Sequence, residues 1–256
     1  MSGAPVHCET RGRGPDLVLL HGWGLHGGIW ETTAARLAER FRVSVVDLPG
    51  HGRSPLCEPV TLAAFVESVA AAVPARAAWI GWSLGGLVAL WAAARDLGLA
   101  RLALVAGTPR FVAGPGWPWG IPPAVLAGFA RELEKDYRAT LQRFLALQPR
   151  GPDQGREELR HLRALVFARG EPAIGALRGG LELLAKSDLR DELGQVGCPT
   201  VLIQGRRDTL VPVGAAEATA AALPDGRVEV IDGAGHAPFI SHPARFVSAL
   251  EAFLHE

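Results

Sequence analysis

An uncharged stretch of 18 residues, Ala77 to Ala94, constrains the fold of this chain more than any other feature. Its length and apolar character are those of a membrane-spanning helix. However, Gly81, Ser83 and Gly85 interrupt its middle, and glycines at such spacing are typical of a turn. We therefore expect a buried strand, a sharp turn and a buried helix here, rather than a membrane span.

Short apolar runs, rich in Val, Ile and Leu and without clean alternation, recur along the chain and alternate with helical stretches. Such runs are typical of parallel strands covered on both faces, and the alternation predicts an α/β fold with a mostly parallel, doubly wound sheet. The predicted strands are 17–20, 42–47, 77–80, 102–105, 200–204 and 228–231, and the predicted helices are 29–40, 61–73, 84–95, 213–223 and 243–254.

The alternation breaks between Thr108 and about Asp188. Closely spaced prolines and tryptophans open this block and exclude a continuous helix there, after which apolar residues recur at helical spacing. An insertion of this kind would sit above the carboxyl ends of the strands, where ligands bind in open α/β sheets. We predict helices over 126–145, near 157–167 and near 174–186, a core made of 1–108 and 189–256, and a helical cap at 109–188.

Composition narrows the function classes. Of the 256 residues 48% are hydrophobic and 20% charged, which excludes intrinsic disorder, and a chain of this size can bury a core without a partner. The 26 basic and 26 acidic residues balance, so no global field attracts nucleic acid or a membrane. Three distant cysteines and the lack of an export signal favour the cytoplasm. We expect a monomer with no metal and no other cofactor, since neither a metal-ligand cluster nor a nucleotide loop is visible.

The pentapeptide from Gly81 to Gly85 has the form G-x-S-x-G and lies directly between a predicted strand and a predicted helix. This context indicates a nucleophile elbow, in which a strained turn lifts the hydroxyl of Ser83 clear of the chain. Glycines flank it because strand and helix backbones crowd there. The alternative is an ordinary glycine-rich turn.

A serine nucleophile needs a base, and the base needs an acid that fixes its tautomer. His236 follows a predicted strand within a glycine-rich loop, and Asp208 follows another. The order Ser83, Asp208, His236 matches that of the hydrolase sheet. Asp232 is the rival acid, but it precedes His236 by only four residues, and a turn-capping role suits it better.

The tetrahedral intermediate of ester cleavage needs two N–H donors aimed at its oxygen. The amide of Leu84, next to the nucleophile, is the first candidate. The second is the amide of Trp23, in the loop after the first long predicted strand. Trp23 could instead be only a packing aromatic, and its backbone and ring could serve both roles.

Several strings resemble the α/β-hydrolase superfamily and, within it, the family of pimeloyl-[acyl-carrier protein] methyl ester esterases of biotin synthesis. The resemblance runs from about Leu17 to Phe253. It is carried by HGWGL (21–25), DLPGHGRS (47–54), GWSLGGLVA (81–89), RFLALQ (143–148), GGLELL (179–184) and HAPFISHP (236–243).

The resemblance implies a serine carboxylesterase that releases methanol, frees the distal carboxylate of the carrier-bound pimeloyl chain and so ends its elongation. Its family substrate contacts fall on Trp23, Ser83, Leu84, Phe144, Leu145, Ala146, Leu147, Gln148 and His236. Phe144 and Leu147 could line an apolar groove, or could only pack the cap against the sheet.

The resemblance also implies that cap arginines dock the acidic acyl-carrier protein. Arg143, Arg156 and Arg160 match the family positions, whereas a fourth position falls on Ala139, with Arg138 beside it. A solvated basic face is the plain alternative. Two other functions stay open: a broad short-chain carboxylesterase without a carrier partner, and a hydrolase-fold protein that only binds ligands.

Overall fold

Residues 5–146 and 154–255 are the part of the chain that the structure, a computed structural model, describes. Within it, seven strands form one sheet: β1 (Cys8–Arg11), β2 (Asp16–Leu20), β3 (Arg42–Val46), β4 (Ala78–Trp82), β5 (Arg101–Val105), β6 (Thr200–Gly205) and β7 (Gly226–Ile231). Their spatial order is β1-β3-β2-β4-β5-β6-β7. Strand β1 is antiparallel to β3, and every other neighbouring pair is parallel.

The central strands are covered on both faces. All five residues of β4 and all six of β6 are buried, as are four of the five in β2 and in β5. Successive side chains of a strand point to opposite faces, so unbroken burial means that helices cover both sides of the sheet. The predicted doubly wound α/β fold is confirmed.

Ten α-helices surround the sheet within the described ranges. They are α1 (Glu31–Leu37), α2 (Leu62–Ala70), α3 (Leu84–Ala93), α4 (Pro123–Leu133), α5 (Tyr137–Ala146), α6 (Gln154–Leu165), α7 (Ile174–Lys186), α8 (Val213–Ala222), α9 (Pro238–Ser241) and α10 (Pro243–Leu254). Helices α4 to α7 lie between β5 and β6 along the chain, where the sequence predicts the insertion. The single helix predicted over 126–145 is two helices, because the chain turns between Leu133 and Tyr137.

The uncharged stretch from Ala77 to Ala94 forms β4, the turn at Ser83 and helix α3. Among the residues that the structure describes, none of the helices is both long and apolar enough to cross a bilayer. This stretch is therefore a buried strand–turn–helix unit, as its internal glycines predict.

Strand β1 is the one strand of the described sheet that the sequence analysis did not predict. Its residues, Cys-Glu-Thr-Arg, form no apolar run, and they are exposed or half-buried at the edge of the sheet. An edge strand held by a single neighbour needs no such run, so hydrophobic patterning does not reveal it.

Candidate active site

Ser83 occupies the turn between β4 and α3 in a strained backbone conformation. Its φ of 54° and ψ of −115° lie in a region that L-residues rarely adopt. A Cβ on Gly81 would collide with the backbone of Gly85, and one on Gly85 would lie 2.6 Å from the carbonyl oxygen of His21. The turn therefore needs glycines at both flanking positions, as the pentapeptide predicts.

Asp208 and His236 are buried together in the loops after β6 and β7. The imidazole Nδ1 of His236 donates to Asp208 Oδ2 at 2.8 Å. The same oxygen accepts from Gln204 Nε2 at 2.8 Å, while Oδ1 accepts from the amides of Leu210 (2.8 Å) and Val211 (3.0 Å). Four donors thus surround the carboxylate, which is the setting of an ionised acceptor.

The histidine lies beside the serine turn. The indole of Trp82, the residue before Ser83, has its ring centroid 5.7 Å from that of His236 and donates from Nε1 to the His236 carbonyl oxygen at 2.8 Å. With Nδ1 bonded to Asp208, the lone pair of the neutral ring lies on Nε2. That nitrogen is buried and has no hydrogen-bond partner among the described residues.

The proposed rival acid, Asp232, points elsewhere. Its exposed carboxylate forms an ion pair with the guanidinium of Arg206, which holds the pKa of Asp232 below its usual range. The structure thus brings Asp208, and not Asp232, to the imidazole of His236.

The two candidate oxyanion donors are amides of residues that follow β2 and β4. Leu84 is the first residue of α3, so its N–H is among those that find no partner inside the helix. Trp23 follows β2 and is buried, with its indole donating to the Leu177 carbonyl oxygen at 2.8 Å. A Cβ on Gly180 of α7 would lie 2.6 Å from the Trp23 ring and 3.5 Å from the Leu84 side chain. Helix α7 therefore packs directly over both residues.

Two buried histidines connect the loop that carries Trp23 to the loop after β3. His21 Nδ1 donates to the Gly22 carbonyl at 2.8 Å, and its Nε2 accepts from the Leu48 amide at 2.8 Å. His51 Nδ1 donates to the Pro49 carbonyl at 3.0 Å, and its Nε2 accepts from the Gly24 amide at 3.3 Å. Each loop thus contributes an imidazole that accepts from a backbone amide of the other loop, which works only while both rings are neutral.

Burial keeps these rings neutral. It lowers the pKa of His51 to about 4. Burial, together with the repulsion that a protonated His51 would exert, lowers the pKa of His21 to about 3. The role of His51 is not visible in the sequence, because a histidine in a turn looks the same whether it is a surface residue or a buried acceptor. Gln204, the second partner of Asp208, was missed as well, since it ends a strand-like apolar run.

We expect the free energy of unfolding to fall as the pH drops from 7 to 5. The unfolded chain binds protons at its ordinary histidine pKa of 6.5, whereas folded His21 and His51 do not until the pH nears 4 or 3. The contribution of these two neutral histidines to the free energy of unfolding is thus complete above about pH 6.5. It falls below that pH, by about 2 kcal/mol per histidine at pH 5. Urea unfolding of His51→Gln, whose amide oxygen can still accept from Gly24, should show a loss between pH 7 and 5 that is smaller by about 2 kcal/mol.

His161→Gln is the matched control, because His161 is an exposed histidine of α6. It should keep the pH dependence of the parent. An identical pH dependence in His51→Gln and the parent would contradict the neutral role of His51.

The predicted substrate contacts on α5 lie close to the same site. Phe144 is buried, with its ring edge-on to Trp23 at 4.8 Å and to Phe129 at 5.6 Å. Leu145 is buried and Ala146 is exposed. Leu147 and Gln148 lie outside the described residues. Phe144 thus packs on the aromatic residue whose amide is the second candidate donor.

The predicted docking arginines lie on the helices of the insertion. Arg143 is exposed on α5 and forms an ion pair with Glu132 at 2.6 Å. Arg160 is exposed on α6, and Arg156 belongs to the same helix, with its side chain outside the described part of the structure. Arg138 instead pairs with Glu171 and lies over the Phe167 ring, 4.8 Å from its centroid.

Comparison with known proteins places this chain in a family. The sequence model of the alpha/beta hydrolase family matches residues 17–249. A relative from Xanthomonas campestris pv. campestris (strain B100), named pimeloyl-[acyl-carrier protein] methyl ester esterase, is 48% identical over 97% of this chain and 98% of its own length.

Solved structures agree on the fold. A hydrolase from Pseudomonas aeruginosa PA01 superposes with a TM-score of 0.85 at 26% identity, covering 98% of this chain and 94% of its own. A bromoperoxidase from Bacillus anthracis gives a TM-score of 0.88 at 23% identity over 98% and 95% of the two chains. The chain belongs to the alpha/beta hydrolase family.

Proposed function

We propose that this chain is a serine carboxylesterase that hydrolyses the methyl ester of pimeloyl-[acyl-carrier protein]. The reaction frees the distal carboxylate, releases methanol and ends pimeloyl elongation in biotin synthesis. The observation that carries the chemistry is the buried hydrogen bond between Asp208 and His236, which lies at the same carboxyl end of the parallel strands as Ser83. The substrate follows from the name of the relatives at 48% identity over nearly the whole chain.

Ser83 is the nucleophile of this proposal. Its hydroxyl attacks the ester carbonyl while His236 Nε2 accepts its proton, and Asp208 stabilises the imidazolium that forms. His236 then returns the proton to the leaving methoxide, which departs as methanol. Water, deprotonated by the same nitrogen, then attacks the acyl carbon. The bond to Ser83 Oγ breaks, the imidazolium returns its proton to that oxygen, and the carboxylate product leaves. The buried Nε2 of His236 suits the role of general base, since it has no hydrogen-bond partner among the described residues and its lone pair is available.

The amides of Leu84 and Trp23 are the proposed oxyanion donors. The first lies at the amino end of α3, where the helix dipole adds positive potential. The second is held by its neighbours, because the adjacent Gly24 amide is fixed on His51. A single donor of this kind contributes about 2.7–4 kcal/mol of transition-state stabilisation.

Residues 109–188 are the proposed cap, and residues 1–108 with 189–256 the core. The packing of α7 on Trp23 and of Phe144 on the same ring supports this division, since α5 and α7, two of the four helices of the insertion, touch the proposed donor loop. We propose that Phe144, Leu145, Ala146, Leu147 and Gln148, with Trp23, Ser83, Leu84 and His236, contact the substrate. An apolar wall of this kind suits the methylene chain of a pimeloyl group.

Arg143, Arg156 and Arg160 are the proposed contacts for the acidic carrier protein. The exposure of Arg143 and Arg160 on neighbouring helices supports this role, and guanidinium groups suit phosphate and carboxylate partners. The cytoplasm is the proposed location, which the free thiols of Cys8, Cys57 and Cys198 favour. A monomer is the proposed state.

The test compares kcat/KM on pimeloyl-carrier methyl ester with kcat/KM on a small aryl ester. The double charge reversal Arg156→Glu and Arg160→Glu should lower the first by about 10-fold or more and leave the second unchanged, because rim charges act on partner association. The control is Arg13→Glu. Arg13 is exposed in the loop between β1 and β2, at the amino end of β2 and so opposite the carboxyl ends of the strands. An unchanged rate on the carrier substrate would favour a short-chain esterase without a carrier partner. Failure of a fluorophosphonate to label Ser83 would favour a ligand-binding role.

A further inference from the structure

The side chain between the first glycine and the serine of the elbow is the indole of Trp82. The G-x-S-x-G pattern leaves this position open, and the proposed mechanism gives it no part. In this chain it is a tryptophan only 1% exposed, at the end of the central strand β4, where it pairs with Val105 of β5. The indole is therefore carried by a fully buried strand that has a neighbouring strand on each side.

The indole contacts both loops that flank Ser83. Its Nε1 donates to the His236 carbonyl oxygen at 2.8 Å in a buried bond, and its ring lies 5.7 Å from the imidazole, centroid to centroid. The indole also contacts the loop that carries Trp23, since a Cβ on Gly22 would lie 3.0 Å from the Trp82 ring. Phe239 of α9 packs edge-on against it at 5.2 Å.

The loop of His236 contains two conformationally permissive positions. Gly233 has a φ of +84°, and Gly235 directly precedes the histidine. Ahead of His236 the loop is held at the Ala234 carbonyl oxygen, which accepts from the Arg207 amide at 2.9 Å. The Asp208 bond fixes Nδ1, but one hydrogen bond at one end of a ring leaves Nε2 able to swing. A second bond at the backbone carbonyl of His236 fixes the peptide plane and hence the direction of the side chain.

We propose that Trp82 is a positioning residue that holds His236 in register with Ser83. The end of β4 thus positions both reacting groups. The strained backbone at Ser83 sets the direction of the nucleophile, and the indole of the adjacent Trp82 holds the base, His236. The inference rests on the proposed function, because it takes Ser83 and His236 as the reacting pair. Misplacement of a reacting group by about 1 Å can lower a rate by about 10²-fold.

Trp82→Phe tests this role, because it removes the N–H donor and keeps a smaller aromatic ring in the same place. We expect kcat on a small aryl ester to fall by about 10- to 100-fold with KM within about threefold of the parent. We also expect the downfield NMR resonance of the His236 Nδ1 proton, assigned by its absence in Asp208→Asn, to shift or broaden. A purely structural role would lower stability without moving either.

Trp30→Phe is the matched control. Trp30 is fully buried and stacks on the same Phe239 at 4.1 Å, but its Nε1 has no hydrogen-bond partner among the described residues. It should keep kcat within about threefold and leave the proton resonance in place. If Trp82→Phe does not fold, 3-benzothienylalanine at position 82 replaces the N–H by sulfur in a ring of nearly the same shape.

Parent-like kcat and an unmoved resonance in either Trp82 variant would overturn the proposal. Equal losses of kcat in the Trp30 and Trp82 variants would also overturn it, because general loosening of the aromatic cluster would then explain both. An inactive parent enzyme would instead contradict the proposed function, so the two failures are distinguishable.

Discussion

Replacing Ser83 by alanine is expected to lower kcat for ester cleavage by about 10⁶-fold. The hydroxyl is the only atom group lost, and in the proposed mechanism it forms the bond to the acyl carbon. The rate that remains reflects binding and the two oxyanion amides alone. Steady-state kinetics on a small aryl ester measures the loss, and failure of a fluorophosphonate to label the variant checks its cause.

Two further serine variants separate loss of the nucleophile from loss of the fold. Ser83→Gly should be as inactive as Ser83→Ala yet more stable by about 1 kcal/mol or more, because glycine adopts a φ of 54° without strain. Ser68→Ala removes another buried serine, which donates to the Ala64 carbonyl within α2, and should keep full activity. Substantial esterase activity in either Ser83 variant would mean that another group performs the attack.

The fold followed from the sequence wherever burial is complete. The strands β2, β4, β5 and β6 are covered on both faces, so their sequences are continuous apolar runs that hydrophobic patterning detects. The edge strand β1 and the break between α4 and α5 did not, because β1 contains no apolar run and a short inter-helix turn depends on tertiary contacts. Local sequence carries too little of either.

The candidate site divides in the same way. Ser83, Asp208 and His236 could be selected because each follows an apolar run, and parallel strands bring their carboxyl ends to one edge. The hydrogen bonds of Gln204, His51 and the Trp82 indole could not be predicted. Each joins two separate segments, and their relative orientation depends on side-chain rotamers and on the path of the loops.

Asp208→Asn is expected to lower kcat by about 10⁴-fold while barely changing the shape of the side chain. All four acceptor positions of the carboxylate are filled by donors: two backbone amides on Oδ1, and Gln204 with His236 on Oδ2. An asparagine must place its NH₂ against one of these pairs. The backbone amides are fixed, so the NH₂ should face His236, whose Nδ1 then has to accept. The ring proton moves to Nε2, and the nitrogen that should take the Ser83 proton no longer can.

Asp232→Asn is the control for this wrong-tautomer effect. Asp232 lies in the His236 loop, but its carboxylate pairs with Arg206 at the surface, so its loss should change kcat by less than about twofold and leave stability nearly unchanged. The Asp208 variant should remain folded and be labelled by fluorophosphonate far more slowly than the parent. Because the substitution removes no atom that touches the ester, a 10⁴-fold loss would show that the histidine works only in the tautomer that Asp208 imposes. A strong loss in Asp232→Asn with a weak one in Asp208→Asn would transfer the acid role to Asp232 and contradict the proposed triad.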